Sequence, residues 1–273
     1  MIPLFFVFVF FIGASVGSFL NVCIARWPAD ESVVRPRSRC PRCGAGIAWY
    51  DNIPVVSWFV LRAKCRGCGL PISSIYPIVE TIIGLTWVAC VWWFGPGFIA
   101  LRVAVFTTIL FGIAVTDAKH YLIPDGFTIT GLLFGGAASV AGVFLMAQDP
   151  FASPIDAVFG ACVGAGAITI IGWLGEVALK KEAMGFGDTT LMAMVGVALG
   201  PSRSLLTIFV GAFFAAAVFL LVVYPVGIIR ARSRGETFEA PLVPFGVFLA
   251  PAALFTLLFG SSLIGWYLDR VIG

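Results

Sequence analysis

Residues 98–125 read FIALRVAVFTTILFGIAVTDAKHYLIPD. From Phe98 to Thr116 the only charge is Arg102. A run of about 20 apolar residues spans a bilayer as a helix, because its backbone polar groups bond to one another and need no water. The run ends at Asp117, and Lys119, His120, Pro124 and Asp125 follow within one short stretch. An apolar span thus delivers a carboxylate to a membrane boundary.

The rest of the chain repeats the first half of this pattern. Of its 273 residues, 60% are hydrophobic and 11% charged, with 26 Phe and 8 Trp. A soluble domain carries about 45–50% apolar and about 25% charged residues. The composition excludes a soluble enzyme, a disordered chain and a nucleic-acid binder, and implies an all-α polytopic membrane protein embedded in the lipid bilayer. Eight apolar runs are expected to span: Ile2–Ile24, Ile75–Phe94, Phe98–Thr116, Phe127–Ala147, Ile155–Leu179, Thr189–Gly200, Leu205–Ile229 and Leu242–Leu268. The sixth is short for a hydrocarbon core of about 30 Å, so it should draw on the loop before it. The first run has no basic residue ahead of it and Arg26 behind it, the reverse of a secretory signal, and reads as a retained helix.

The net charge of +3 says little, but its placement says more. With eight spans and the N-terminus outside, the cytoplasmic loops are 26–74, 117–126, 180–188 and 230–241. They hold Arg26, Arg35, Arg37, Arg39, Arg42, Arg62, Lys64, Arg66, Lys119, Lys180, Lys181, Arg230, Arg232 and Arg234, which is 14 of the 17 Lys and Arg. Arg102, Arg203 and Arg270 fall on the other side. Basic residues collect in cytoplasmic loops, so the count favours this orientation.

Loop 26–74 contains Cys40-Pro-Arg-Cys43 and, 21 residues on, Cys65-Arg-Gly-Cys68. Two C-x2-C turns aim four thiolates at one point, which suits a structural Zn2+ ion with no open ligand position. Gly44, Gly67 and Gly69 suit the sharp turns, and Arg42, Lys64 and Arg66 would favour thiolates. A cytoplasmic loop disfavours disulfides, although a redox role stays open. Cys23, Cys90 and Cys162 lie alone in apolar runs and read as small buried hydrophobes.

Carboxylates at membrane depth are costly and point to function. They are Glu80, Asp117, Asp125, Asp156, Glu176 and Asp188. Asp117 ends the third span and Asp188 opens the sixth, both on the cytoplasmic side, so the two are placed to meet. Paired carboxylates repel, one keeps a proton, and the two can then serve as base and acid on a peptide carbonyl. Gly185 and Gly187, just before Asp188, would allow close approach of a substrate. Plainer roles remain open: Asp188 as a helix cap, Asp117 paired with Lys119, Asp125 after Pro124 as a cap, and Asp156 and Glu176 as solvated end residues. His120 is the only histidine and lacks a serine elbow beside it. No phosphate-binding glycine pattern occurs, and no internal repeat of the transporter kind is visible.

These residues also carry a resemblance. Gly17-Ser-Phe-Leu-Asn21, the tetracysteine loop, Asn52-Ile-Pro54, Tyr76-Pro-Ile-Val-Glu80, Asp117 with Ile123-Pro124-Asp125, and Met184-Gly-Phe-Gly-Asp188 occur in the order typical of type IV prepilin peptidases. The resemblance covers nearly the whole chain. It implies an aspartic endopeptidase of the bacterial cytoplasmic (inner) membrane, with Asp117 and Asp188 as its catalytic pair. Gly185, Gly187, Pro124 and Asp125 belong to its motifs. The implied substrate is a prepilin or pseudopilin of pilus or secretion systems, cut after a Gly at the cytoplasmic face. Many members then methylate the new N-terminus with S-adenosylmethionine. That activity would fall to residues 1–97 (two helices and the zinc loop), with Asn21, Ala63 and Glu80 in the region concerned, and the peptidase to residues 98–273. Three positions depart from the pattern: Lys119, Thr190, and Ala63 in place of a glycine. A basic leader calls for acidic residues near the cleft, and Glu182 and Asp125 are the expected ones.

Overall fold

A computed structural model describes residues 2–180, 184–234 and 243–271. Lys181, Glu182 and the first residue of the last expected run, Leu242, lie outside them. Helix dominates: α1 (Ile2–Arg26), α2 (Val56–Val60), α3 (Ile75–Phe94), α4 (Phe98–His120), α5 (Asp125–Phe144), α6 (Pro154–Leu179), α7 (Phe186–Leu199), α8 (Pro201–Val218), α9 (Tyr224–Arg234) and α10 (Gly246–Val271). A π-helical turn, Phe219–Val223, joins α8 to α9 in one continuous rod. Among the described residues, seven helices are long and apolar enough to cross a membrane. The remaining expected run, the sixth, is α7, whose 14 residues extend only about 21 Å. It starts three residues earlier than its apolar run and so takes Asp188 into its first turn. The chain is a nearly all-helical, multi-pass membrane protein.

It divides into two compact units, residues 1–112 and 113–273, the division falling inside α4. In the first unit, α1 packs along α3. Gly13 and Gly17, four apart on α1, make that approach possible. A Cβ at Gly13 would stand 2.7 Å from Trp87, one at Gly17 would stand 2.9 Å from the Glu80 backbone, and one at Gly84 would stand 2.7 Å from Phe10. In lipid, where apolar surface gains nothing by leaving solvent, such small residues let helices meet closely. Asn21 Nδ2 donates to Tyr76 O (3.2 Å) and Trp87 Nε1 donates to Thr108 Oγ1 (3.1 Å), tying the pair together and to α4.

In the second unit α7 is the inner helix. It contacts α5, α6, α8 and α10, and Leu191, Met192, Met194, Val195 and Leu199 are all buried. Gly160 and Gly164 of α6 abut the α7 backbone at Gly196 and Met192 so closely that neither position has room for a Cβ. Thr207 and Thr256 share a buried hydroxyl–hydroxyl bond of 2.6 Å between α8 and α10. The far end of α7 is closed by Arg203, which donates to Leu199 O (2.9 Å) and to Pro150 O. A guanidinium at a helix C-terminus meets unpaired carbonyls and the negative end of the dipole.

Candidate functional site

Asp117 sits in the last turn of α4 and is 5% exposed. Its Oδ2 accepts the Val247 N–H (3.1 Å) at the start of α10, 130 residues away. Gly246, the first residue of α10, has no room for a side chain: a Cβ there would lie 2.8 Å from Asp117 Oδ2 and 2.9 Å from Ile123 Cδ1. The carboxylate thus rests on the N-terminal end of a helix, where unpaired N–H groups and the dipole favour negative charge. No ion pair joins Asp117 to Lys119 among the described residues, and Lys119 is exposed.

Asp188 is 9% exposed and lies in the first turn of α7, whose cap is Gly185. The capping role is therefore not its own. Asp117 and Asp188 are brought to the same place by α4 and α7, because Gly246, which abuts Asp117, and Gly187, which precedes Asp188, both pack against Ile123. Ile123 is the wedge between their supports, since a Cβ on Gly187 would stand 2.9 Å from Ile123 Cβ. Gly187 is thus needed for a close approach. Gly185 is not: its φ is −78° and the space beside it is open, out to the Gly187 N at 4.0 Å. Pro124 is buried and caps α5. Asp125, expected to cap, is the first helical residue instead, exposed and without a side-chain capping bond.

The remaining acids separate. Asp156 takes the Ser153 hydroxyl (2.7 Å) while Ser153 caps its amide (3.2 Å), a local helix start, and Glu176 is exposed. Glu80 is buried, and its Oε2 accepts the Val55 N–H (2.7 Å). The sequence reading missed Gly246 and Val247. The signal was Pro244-Phe245-Gly246 at the mouth of the last span, a glycine where a helix begins against another element.

The tetracysteine loop forms two matching turns. In one, Cys40 N donates to Ala45 O (2.9 Å) and Gly44 N to Cys40 O (2.9 Å). In the other, Cys65 N donates to Leu70 O (2.9 Å) and Gly69 N to Cys65 O (2.8 Å). Each is closed by an isolated antiparallel bridge, Arg39–Gly46 and Lys64–Pro71. Gly44 (φ 72°) and Gly69 (φ 68°) take the left-handed conformation that glycine adopts freely. All four Sγ atoms lie within 4.8 Å of one another, with Cys40 and Cys68 4.0 Å apart and none in a disulfide. Tetrahedral thiolates at Zn–S distances of about 2.3 Å stand about 3.8 Å apart, so the cluster fits a metal ion. The Cys40 thiol is pushed down to about 6, first by the backbone N–H of Cys43 and then by that of Arg42. Backbone groups, rather than the expected side-chain charges, do this. Arg66 is engaged elsewhere, in a two-pronged bond to Asp51 (2.7 Å each).

Ala63, where the resemblance has glycine, has φ 57° and follows Arg62 at φ 52°. Its position demands a left-handed backbone that glycine would adopt without strain. Among the other cysteines, Cys23 and Cys90 are buried as expected, whereas Cys162 is exposed on α6.

The fold and these clusters define a multi-pass membrane enzyme with a buried carboxylate site and a metal-type cysteine cluster. The type IV leader peptidase family matches residues 104–221, and the bacterial peptidase A24 N-terminal domain matches residues 11–94. A prepilin leader peptidase/N-methyltransferase of Myxococcus xanthus is 43% identical over 86% of this chain and 67% of its own length. The protein of that name from Aeromonas hydrophila is 35% identical over 98% of this chain and 96% of its own, and that of Pseudomonas aeruginosa 33% identical over 94% and 91%. No solved structure gives a significant match. The chain belongs to the type IV leader peptidase family and is a bacterial membrane protease.

Proposed function

We propose that the protein removes the leader of type IV prepilins or pseudopilins, with Asp117 and Asp188 as an aspartyl pair at the cytoplasmic face of the inner membrane. The observation that carries this reading is two buried carboxylates, from α4 and α7, whose flanking glycines Gly246 and Gly187 close on the same residue, Ile123. One carboxylate takes a proton from a water molecule, whose oxygen attacks the carbonyl carbon of the Gly before the cut. The other, protonated, donates to the carbonyl oxygen. Collapse of the adduct passes a proton to the leaving amine. The open side of Gly185 leaves room for the substrate backbone. A basic leader stays in the cytoplasm and its hydrophobic helix in the bilayer, given an outside N-terminus for the enzyme. Asp125, exposed at the head of α5, is the described acid available to the leader. Glu182 lies outside the described residues.

Zn2+ in the cysteine cluster would be structural, since all four ligand positions are filled by Cys40, Cys43, Cys65 and Cys68. S-adenosylmethionine would supply a methyl group to the new N-terminal amine, a role assigned to residues 1–97. Asn21 and Glu80 are committed to bonds within the unit and form no cradle for that molecule. A peptidase without methyl transfer is the second reading, favoured by the strained Ala63.

Co-expression with a prepilin tests the assignment. Asp117→Ala and Asp188→Ala should each abolish leader removal while the protein remains in the membrane, as read by the substrate's size on a gel. Normal processing by either variant rejects the pair. The mass of the mature N-terminus, with or without about 14 Da for a methyl group, reads the transferase.

A further inference from the structure

Between the two cysteine turns lies a segment that the cluster does not explain. It contains a 3-10 turn, Trp49–Asn52, and the short helix α2. On α2, Val56, Phe59 and Val60 are exposed at 40%, 66% and 69%, and the first, fourth and fifth residues of a helix share one face. Trp49, just upstream, is 81% exposed. Water does not tolerate such a face well.

The backbone fixes where this face lies. Val55 has φ 65° and ψ −53°, and Val56 N donates back to Pro54 O (2.6 Å). This is the strained form of γ-turn, and a β-branched residue is a poor choice for it. The turn is clasped by Glu80, which receives the Val55 N–H at 2.7 Å. Glu80 is the sixth residue of α3, a span of 20 residues. Twenty residues rise about 30 Å, the thickness of the hydrocarbon core, so α3 has no length to spare outside it. Glu80 then stands about 7.5 Å below the start of the span. Trp58, on the other flank of α2, is tied by its Nε1–H to Ile72 O (3.2 Å), three residues before α3. Arg62 and Lys64, both exposed, follow α2 directly.

We infer that Glu80 seats the segment Trp49–Val60 at the membrane boundary, with the Val56/Phe59/Val60 face buried in lipid at the headgroup–acyl junction. Apolar side chains beside a Trp and two cations match that layer, which takes aromatic rings and anionic headgroups together. The cysteine cluster is thereby held against the bilayer surface. Glu80 is a positioning residue in this arrangement. The inference depends on membrane embedding alone and stands apart from the aspartyl chemistry.

The test uses full-length protein in nanodiscs of phosphatidylethanolamine and phosphatidylglycerol. A fluorescent amino acid is placed at position 59 or, as a control, at position 42. Nitroxide-bearing lipids report depth by quenching. The label at 59 should be quenched several-fold more than that at 42, and more by a shallow nitroxide than by one near the bilayer centre. Glu80→Leu should bring the quenching at 59 down to the control level. Glu80→Gln, whose amide oxygen still accepts the Val55 N–H, should retain it. Equal quenching at 59 and 42 in the otherwise native chain overturns the inference, whatever the Glu80 variants do. A photo-crosslinking residue at position 60 separates the occupants. Lipid adducts support the seat, and adducts to a co-reconstituted prepilin or a second copy in place of lipid overturn it.

Discussion

The cysteine cluster and the carboxylate pair are two ways of building a site. In the first unit, each C-x2-C turn is closed by hydrogen bonds that span nine residues or fewer, with a left-handed glycine in each. In the second, Asp117 is held by an amide 130 residues away, against a glycine that abuts its oxygen. A site made of local turns tolerates change in the surrounding helices and depends on its own few residues. One assembled from helix ends depends on residues that do no chemistry themselves.

Predictions can break that contrast. The two Asp→Ala variants carry the largest expected effect, complete loss of leader removal. Next is Gly246→Val, at a position that a survey of acidic residues would pass over. Its side chain must displace the Asp117 carboxylate, and a misplacement of about 1 Å costs on the order of 100-fold in rate. Initial cleavage rates in detergent should show this, with the amount of protein in the membrane little changed. A rate within a few-fold of the native chain would mean that the α10 contact is incidental.

Cys40→Ser should remove the metal locally. Purified native protein should hold about one zinc per chain, as set by four thiolates, and the variant less than half. Elemental analysis reads the difference. Leader removal should fall far less than zinc content if the cluster is a self-contained structure. Equal loss of both would erase the contrast between the two regions.

Smaller effects probe the loop itself. Ala63→Gly relieves a left-handed alanine, a strain of about 1–2 kcal/mol, against about 0.4–1 kcal/mol of extra unfolded-state freedom. The loop should gain about 0.5–1 kcal/mol, seen as slower zinc release to a chelator. Faster release would show that the strain is repaid elsewhere. The Asp51–Arg66 pair should matter least. The Arg66 guanidinium holds the Asp51 carboxyl below its usual range. A carboxyl lowered by folding stabilises above its unfolded pKa and loses that contribution as pH falls through the folded one. The loop should therefore lose a small increment of stability on acidification through the carboxylate range, beside the larger loss of zinc as the thiolates take up protons. In Asp51→Asn this component should disappear, as a pH series with and without the substitution would show.

The helices were legible because lipid imposes one rule on every span, about 20 apolar residues, and α3 matches its expected run residue for residue. The short α7 was legible as a run but not as an inner helix, because burial by other helices and burial by lipid select the same apolar residues. The three C-x2-C-defining facts, spacing, glycines and polarity of the loop, are local and survive in one dimension. Gly13, Gly160 and Gly196 were silent in the sequence, since a glycine in a membrane helix declares its purpose only when another element abuts it.

By itself, then, the sequence determined a polytopic membrane chain, a four-thiolate loop, and two carboxylates at the ends of apolar runs. Each follows from composition or from spacing along a single stretch. The tertiary structure alone decided that Gly246 and Val247 receive Asp117, that Gly187 closes on Ile123, and that Glu80 clasps Val55. Those contacts join residues far apart in the chain, and hydrogen bonds and steric fit act through space whatever the distance along the backbone.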